Sequence, residues 1–303
     1  MKALQYRTFG VGPELVDIDR PKAGSGQVLL RMTAAGLCHT DIFLMGMDPL
    51  QLAFGELPLT LGHEGAGVVE EHGPGTSGVS IGQRVAVYAR WGGGACHHCT
   101  AGRENICPKA RELGIYSAGL GTAGALAECM VVDHARHLIY IGGLDPAIAA
   151  PLTDAGLTPY SAIKESLSKL DDGSTVTIIG VGGLGHLGIQ IVKALSHTRV
   201  IALDLDDRRL ELAEQAGADF TLLSTDAELV PTIRRLTDGR MSDVVLDFAG
   251  YQSSLDIAKL VVGIRGLVRT VGIGMGGAAI KVGFFLCNLN PTLVQVAGER
   301  CQS

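Results

Sequence analysis

The chain has 303 residues, a formal net charge of −6 and 47% hydrophobic residues. This length exceeds the usual size of one domain, so two domains with separate hydrophobic cores are expected. An acidic chain without a run of Lys or Arg offers no basic face to nucleic acid or to anionic lipid. Neither nucleic acid nor a membrane is therefore an expected partner.

The first residues, MKALQYRTFG, have neither the apolar stretch of a secretory signal nor the Arg- and Ser-rich composition of an organelle leader. We therefore expect a cytoplasmic protein. In a reducing compartment, cysteines close together in sequence indicate metal binding before disulfides. Three of the seven cysteines lie between positions 96 and 107, so this segment is a candidate metal site.

Residues 1–151 are rich in glycine and contain short strand-like runs at 27–34, 67–71, 84–88 and 128–132. This pattern predicts a β-rich domain whose loops carry functional side chains. Two loops hold possible metal ligands, Cys38 in GLCHTD and His63 in LGHEG. A catalytic zinc takes three protein ligands and leaves a fourth position for substrate, so a third ligand is needed.

Asp154, in LTDAGLT, lies where the two halves of the chain meet and is the candidate third ligand. Its carboxylate could face a cleft shared by metal and cofactor. Taken singly, Cys38 is more often a core cysteine and Asp154 more often a helix cap. Only the combination of residues favours a metal site.

After residue 151, short apolar runs at 175–179, 199–203, 219–223, 243–247 and 266–271 alternate with helical stretches. This alternation predicts a parallel sheet covered by helices, so the fold class is α/β. The uncharged stretch 175–192 is long enough to suggest a membrane span. Its glycines and His186 fit a buried strand followed by a helix better.

A dinucleotide-binding turn is predicted in TVTIIGVGGLGHLG, where a buried strand runs into Gly180-x-Gly182-x-x-Gly185 at the start of an amphipathic helix. The glycines allow a tight turn and a close approach of pyrophosphate to the helix N-terminus. The next strand ends at Asp204, whose carboxylate could accept hydrogen bonds from the ribose hydroxyls and would repel a 2′-phosphate. NAD is therefore favoured over NADP.

The remaining predicted cofactor-binding residues are Gly183, Leu184, Arg209 and Val271. Arg208 or Arg209 could approach a phosphate, although a surface helix charge is the simpler role for one of them. The alternative for the whole turn is a Gly-rich connection that packs a βαβ unit without a ligand.

Together these motifs resemble zinc-containing medium-chain alcohol dehydrogenases, and most closely their bacterial secondary-alcohol branch. The resemblance covers about residues 1–285. The motifs that carry it, in chain order, are Cys38-x-Thr40-Asp41, Gly62-His63-Glu64-x-x-Gly67-x5-Gly73, the Cys96/Cys99/Cys107 lobe, Asp154 in TDAGLT and the glycines of 180–185.

The resemblance implies a GroES-like catalytic domain at 1–151, a Rossmann NAD-binding domain at 152–287 and an atypical tail at 288–303. It implies that Cys38, His63 and Asp154 hold the catalytic zinc. It also implies that Glu64 sits just behind the metal, that Asp41 orients the His63 ring, and that Thr40 contacts the substrate hydroxyl.

The implied chemistry is reversible. The metal favours the alkoxide, Thr40 begins the exit of the proton, and a hydride passes from the carbinol carbon to nicotinamide. Many relatives end this proton relay on a histidine at the position of Phe43. The exit here could use the cofactor ribose and water, or His39, which is otherwise a solvent-facing loop residue.

The second zinc site of the family has the spacing C-x2-C-x2-C-x7-C, and Gly93 replaces its first cysteine in this chain. A closed structural zinc site has four ligands, so Cys96, Cys99 and Cys107 form an incomplete set. His97, His98 or water could complete it. The alternative is a metal-free loop with free thiols.

Beyond Phe285 the resemblance fades, and the chain ends a few tens of residues short of its relatives, which suggests a frameshift or truncation. A sixth strand over 292–296 is expected, with an exposed edge and uncovered apolar surface. The family habit is a homo-oligomer, dimer or tetramer, and we expect one here if the C-terminus were intact.

The predicted function is oxidation of a primary or secondary, hydrophobic alcohol by NAD. The substrate pocket would be lined partly by Phe43, Phe54 and Trp91, each of which could equally be core packing. Two alternatives stay open, a truncated non-catalytic NAD- or zinc-binding relative and a polyol dehydrogenase. A zinc-free quinone reductase is disfavoured by Cys38, His63 and Asp154 together.

Overall fold

A computed structural model describes residues 1–46 and 56–274, and the backbone of residues 292–295. The chain divides into two compact units, Met1–Asp154 and Ala155–Ser303. The sequence predicted the division after residue 151. Phe54, one of the predicted pocket residues, lies outside the described residues.

The first unit is built on antiparallel sheets, in keeping with the prediction of a β-rich domain. A five-stranded sheet has the order β10-β6-β5-β3-β9, and a three-stranded sheet has the order β2-β1-β4. A further pair is β7-β8. The strands are β1 Lys2–Tyr6, β2 Glu14–Asp17, β3 Val28–Gly36, β4 Leu59–Thr60, β5 Glu64–His72, β6 Arg84–Val87, β7 Ser117–Ala118, β8 Gly121–Thr122, β9 Cys129–Val132 and β10 Leu138–Tyr140.

The core of the first unit lies on the five-stranded sheet. Its central members are the branched residues Val28, Leu30, Val69 and Val85, all of which are fully buried, together with Met130. Strands β3, β5, β6 and β9 overlap the four predicted runs. The register pairs the end of β3 with the start of β5, Gly36 opposite Glu64, so the loop after β3 and the loop before β5 lie side by side.

The helices of the first unit are short, namely α1 His39–Met45, α2 His97–Thr100 and α3 Pro146–Pro151. Helix α3 begins at Pro146, a residue suited to the first turn, and the Asp145 carboxylate accepts a hydrogen bond from Ala147 N at 2.9 Å. The chain then widens into a π-helical turn, Leu152–Gly156. Such turns often occur at functional sites, and this one contains Asp154.

The second unit is a six-stranded parallel sheet with the order β13-β12-β11-β14-β15-β16. Counted from β11, this is the strand order 3-2-1-4-5-6 of a Rossmann fold, as predicted. The strands are β11 Thr175–Ile179, β12 Arg199–Asp204, β13 Phe220–Leu223, β14 Ser242–Asp247, β15 Val262–Thr270 and β16 Thr292–Gln295. The helices are α4 Leu157–Lys164, α5 Gly183–Leu195, α6 Asp207–Gln215, α7 Leu229–Leu236 and α8 Gln252–Val261.

Hydrophobic clusters cover both faces of this sheet. Alternate residues of β12 show the arrangement, since Val200 and Ala202 belong to one cluster, whereas Ile201 and Leu203 belong to the other. A parallel strand buried on both faces reads as a continuous apolar run, as β12 does in this half. The stretch 175–192 forms β11 and most of α5, so the prediction of a strand followed by a helix is confirmed.

The predicted sixth strand is confirmed as β16, which pairs in parallel with β15. The uncovered apolar surface predicted for the tail at 288–303 otherwise falls outside the described residues. Within the part of the chain that the structure describes, no helix has both the length and the apolar character needed to span a bilayer.

Candidate metal centre and dinucleotide turn

The predicted metal ligands come together within the first unit. Donor atoms of Cys38, His63, Glu64 and Asp154 all lie within 4.8 Å of one another. Cys38 Sγ is 3.6 Å from Asp154 Oδ2, and His63 Nε2 is 3.4 Å from the same oxygen. A thiol, an imidazole and a carboxylate are the donors that zinc takes in catalytic sites.

Asp41 fixes the loop of Cys38 against the loop of His63. One carboxylate oxygen accepts a hydrogen bond from Cys38 N at 3.0 Å, and the other accepts one from Gly62 N at 3.3 Å. The second oxygen also lies 3.4 Å from His63 Nδ1. Asp41 is buried, and its hydrogen bonds hold the backbone of both loops. That it orients the His63 ring stays a prediction.

The loop before His63 depends on glycine. Gly62 has φ of +96°, a conformation that other residues rarely adopt, and a Cβ there would lie 2.8 Å from Leu126. Gly36 has a comparable role at the end of β3, since its Cβ would lie 1.8 Å from Glu64 Oε2. Gly36 therefore leaves room for the Glu64 carboxylate beside the other donors of the cluster.

His63 shows most directly that the cluster suits a cation. The ring is buried, and neither ring nitrogen makes a hydrogen bond. Nδ1 lies 3.4 Å from an Asp41 oxygen and Nε2 lies 3.4 Å from an Asp154 oxygen, both longer than a usual N–H···O bond. Burial lowers the pKa of His63, but Asp154, Asp41 and Cys38 outweigh it and raise the pKa to about 12. Buried polar atoms without partners and a field that favours positive charge are what a metal ion would satisfy.

Asp154 presents two different oxygens. Oδ2 faces Cys38 and His63, whereas Oδ1 lies 3.9 Å from Arg90 Nη2. Burial raises the pKa of Asp154, but His63 and Arg90 lower it by more, so the net pKa is below the usual value and the carboxyl group is ionised. Sequence reasoning missed Arg90, and its position shortly after a predicted strand gave no signal that its side chain reaches Asp154.

Other predicted residues of this region are placed as follows. Thr40 Oγ1 lies 3.5 Å from Cys38 Sγ, beside the cluster, while His39 is exposed. Phe43 is half-buried in α1. Trp91 is buried in the core, stacks on His137 with ring centroids 5.7 Å apart, and donates its indole N–H to Tyr88 O. For Trp91 the structure therefore supports core packing.

The three-cysteine lobe is a separate cluster in the same unit. Cys96, Cys99 and Cys107 have their sulfur atoms within 4.8 Å of one another. No histidine joins this group among the described residues, so neither His97 nor His98 replaces the ligand missing at Gly93.

The predicted dinucleotide turn joins β11 to α5. Gly180 has φ of +87°, and a Cβ on Gly185 would lie 1.9 Å from Gly180 O, so both positions require glycine. A Cβ on Gly182 or Gly183 would meet nothing within 4 Å, which leaves the start of α5 open. This is the close backbone approach that pyrophosphate binding needs.

Asp204 ends β12 beside this turn. Its carboxylate accepts hydrogen bonds from Val181 N at 2.7 Å and from Leu205 N at 2.7 Å. Arg209 Nη1 lies 3.7 Å from the same carboxylate, while its side chain remains half exposed. The structure thus brings Asp204 and Arg209 together near the glycine turn.

The other two predicted cofactor residues occupy different settings. Leu184 lies in the first turn of α5 and packs on the core of the sheet. Val271 follows β15, is buried, and donates its N–H to Asp247 O at 2.7 Å.

Comparison with known proteins places both units in one group of enzymes. The family model described as Alcohol dehydrogenase GroES-like domain matches residues 24–142. The model described as Zinc-binding dehydrogenase matches residues 183–300. An NAD-dependent alcohol dehydrogenase of Sulfurisphaera tokodaii is 37% identical over 301 residues, covering 96% of this chain and 83% of the relative.

Two further proteins extend the range of relatives. A D-arabinose 1-dehydrogenase (NADP(+)) of Saccharolobus solfataricus is 31% identical over 288 residues, covering 94% of this chain and 79% of the relative. The crystal structure of the alcohol dehydrogenase of Aeropyrum pernix superposes with a TM-score of 0.88 at 31% identity, covering 99% of this chain and 86% of that chain.

Proposed function

Because this chain belongs to the zinc-containing medium-chain alcohol dehydrogenase family, we propose that it transfers a hydride reversibly between a primary or secondary alcohol and NAD. The products are the aldehyde or ketone and NADH. The observation that carries the proposal is the cluster of Cys38, His63 and Asp154, in which His63 is buried and the other two are half-buried. Their donors come from three distant segments and meet within 4.8 Å.

Cys38, His63 and Asp154 would hold zinc, and Asp41 keeps the first two loops in register through its contacts with Cys38 N and Gly62 N. Zinc bound there would polarise the alcohol oxygen, and NAD would accept the hydride. Arg90 lies 3.9 Å from the outer oxygen of Asp154, and the inner oxygen faces Cys38 and His63, the other two residues that would hold the metal.

Thr40 is the residue we assign to the substrate hydroxyl. Its Oγ1 lies beside Cys38 Sγ, so a hydroxyl group held at the metal would lie within its reach. A threonine hydroxyl both accepts and donates hydrogen bonds, and it can take the proton from the substrate while passing its own onward. Phe43 cannot receive that proton, so the relay continues through another group.

We assign NAD to the second unit through the open start of α5 and the carboxylate of Asp204. The N–H groups of this helix start would bind pyrophosphate, and Asp204 would accept hydrogen bonds from ribose hydroxyls. The carboxylate also opposes a 2′-phosphate, which favours NAD over NADP.

A hydrophobic substrate is supported by apolar side chains next to the proposed ligands. Leu37 precedes Cys38 and is 77% exposed, and Ile42 in α1 is 62% exposed. Leu152, near Asp154 in the chain, is also exposed. Apolar residues around a few polar groups are the usual composition of a small-molecule site.

The test is NADH formation by the purified, zinc-loaded protein, followed by absorbance with apolar secondary alcohols, simple primary alcohols, polyols and D-arabinose. We expect the highest kcat/KM on an apolar alcohol, loss of the rate after chelation, and its return with zinc. The sugar relative makes D-arabinose a necessary arm of the panel. A preference for polyol or sugar would refute the hydrophobic substrate, and no rate on any alcohol would refute the dehydrogenase activity.

A further inference from the structure

The three-cysteine lobe has the sulfur spacing of a metal site. Cys96 Sγ is 3.4 Å from Cys99 Sγ and 3.8 Å from Cys107 Sγ. A disulfide would bring two sulfur atoms to about 2.0 Å. Thiolates arranged tetrahedrally at zinc–sulfur distances of 2.3 Å lie about 3.8 Å apart. The three sulfur atoms therefore lie at the separations of ligands to one ion.

Nothing in the lobe fills the fourth corner. Gly93 stands where the resemblance places a cysteine, and a Cβ built there would meet only Leu113 Cδ1, at 2.7 Å. Leu113 is 59% exposed, so its side chain is free to move aside. The fourth corner is thus bordered by a flexible apolar side chain and by solvent.

The nearby histidines do not close the site. His97 and His98 lie in α2 with ring centroids 5.6 Å apart, close to one another. Among the described residues, the donor atoms gathered at this point are the three sulfurs. The lobe therefore does not fit the closed four-ligand site of the family.

Glu104 ties the two ends of the lobe together. The Glu104 carboxylate accepts hydrogen bonds from Gly92 N at 2.8 Å and from Arg136 Nε at 3.0 Å. It also lies 2.9 Å from His137 Nε2, and Arg136 donates to Gly92 O at 2.7 Å. This network holds the segment that carries the cysteines in place.

We propose that Cys96, Cys99 and Cys107 form an open metal site that holds a thiophilic divalent ion, such as Zn²⁺, through three thiolates and takes its fourth ligand from solution. Three thiolates already exceed the charge of the ion, so the external ligand is a neutral donor, water or a small imidazole-like base. An ion held in this way exchanges readily, whereas a closed structural zinc does not.

The experiment compares zinc release from the wild type, Gly93→Cys and Cys107→Ser, all purified as zinc-loaded full chains. Zinc content is measured by mass spectrometry, and release to a chromogenic chelator is followed in time. Cys107→Ser removes a lobe ligand and leaves the Cys38–His63–Asp154 centre intact, so the difference from the wild type isolates the lobe ion. Gly93→Cys supplies the missing thiolate where only Leu113 must shift.

We expect the lobe ion of the wild type to leave at least roughly tenfold faster than that of Gly93→Cys, because even indirect ligand contacts change metal affinity about 10- to 100-fold. Equal release rates would show that the wild-type shell is already closed and would overturn the proposal. Equal zinc contents of the wild type and Cys107→Ser would show that the lobe holds no ion, with the same consequence.

A second measurement does not depend on the folding of Gly93→Cys. The wild type and Cys107→Ser are loaded with Co²⁺, and imidazole is added while the thiolate-to-cobalt absorption is recorded. The Cys38 centre also has a thiolate and an open position, so it responds in both proteins. The proposal requires an additional shift in the wild-type spectrum that Cys107→Ser lacks. If imidazole leaves the absorption of the lobe cobalt unchanged, the proposal is overturned.

Discussion

The metal centre of the first unit draws its donors from positions 38, 63, 64 and 154, whereas the dinucleotide turn of the second unit is made by the consecutive residues 180–185. The turn depends mainly on backbone geometry, and two of its positions require glycine, which has no side chain. In the metal centre, the donors stand on three distant segments of the chain, and buried contacts such as those of Asp41 keep the segments of Cys38 and His63 together. A local site tolerates changes elsewhere, but a site assembled from distant segments is sensitive to each of its supports.

This contrast predicts that the two sites fail independently, and Asp154→Ala should show it most strongly. Mutation of a residue that supports a metal ligand lowers metal affinity by roughly 10- to 100-fold. Removal of the proposed ligand itself should lower zinc affinity by more than this, and the rate of alcohol oxidation should fall with it. NAD binding, measured by calorimetry or fluorescence, should persist. Asp17→Ala, which removes an exposed carboxylate paired with Lys2, is the control. Retention of full activity by Asp154→Ala would contradict the assignment.

Asp41→Asn tests whether the supports of the metal centre matter as much as its ligands. The amide keeps one acceptor oxygen but loses the charge facing His63 and one of the two backbone contacts. We expect metal affinity to fall about 10- to 100-fold, measured by competition with a chelator. The affinity of Asp41→Asn for NAD should equal that of the wild type. Unchanged zinc affinity would mean that the two loops hold their positions without Asp41.

Asp204→Ser makes the reverse test in the second unit. Removing the carboxylate should shift the ratio of NADP to NAD efficiency by roughly tenfold, about 1.4 kcal/mol, because the repulsion of a 2′-phosphate is lost. Zinc content should not change. Asp207→Ser removes a neighbouring exposed charge and serves as the matched control. If both variants shift the ratio of NADP to NAD efficiency equally, the loss of any negative charge explains the shift, and the position of Asp204 does not matter.

Asp247→Asn should have the smallest effect and a distinctive pH dependence. Burial raises the pKa of Asp247, although N–H groups of Gly250 and Ala249 and the Ser254 hydroxyl lower it in part. A raised folded-state pKa gives stability that is present at low pH and lost as pH rises through that pKa.

The neutral amide removes this dependence and keeps an acceptor for the turn, so stability at neutral pH should change by about 1 kcal/mol or less. The free energy of unfolding, measured between pH 4 and 7, should move in favour of Asp247→Asn as pH rises. A difference between the two proteins that stays constant with pH would show that Asp247 has the same pKa folded and unfolded.

The predictability of the fold follows the same contrast. The parallel strands were located closely because each is a continuous apolar run, and β11 coincides with its prediction. Strands such as β4 and β7 have two residues each and no alternation to detect. The start of β15 was missed because Gly263 and Arg265, which has φ of 60°, interrupt its apolar pattern.

The candidate sites divide in the same way. The glycine turn could be predicted from its own residues, because strand, turn and helix follow one another in sequence. Residue types made Cys38, His63 and Asp154 candidates, but only resemblance to a family supported grouping them, since no spacing rule joins such distant positions. Arg90 could not be foreseen at all, because its role depends on which oxygen of Asp154 faces outward.

The π-helical turn Leu152–Gly156 also limits how the length of this segment can vary. Deleting one residue would let an ordinary α-helix continue from α3 into α4, and each α-helical residue turns the chain by about 100°. Asp154 would then point away from Cys38 and His63 although no ligand had been substituted. Single-residue deletions between Pro146 and Lys164 should therefore inactivate the protein, whereas length changes in exposed loops should be tolerated.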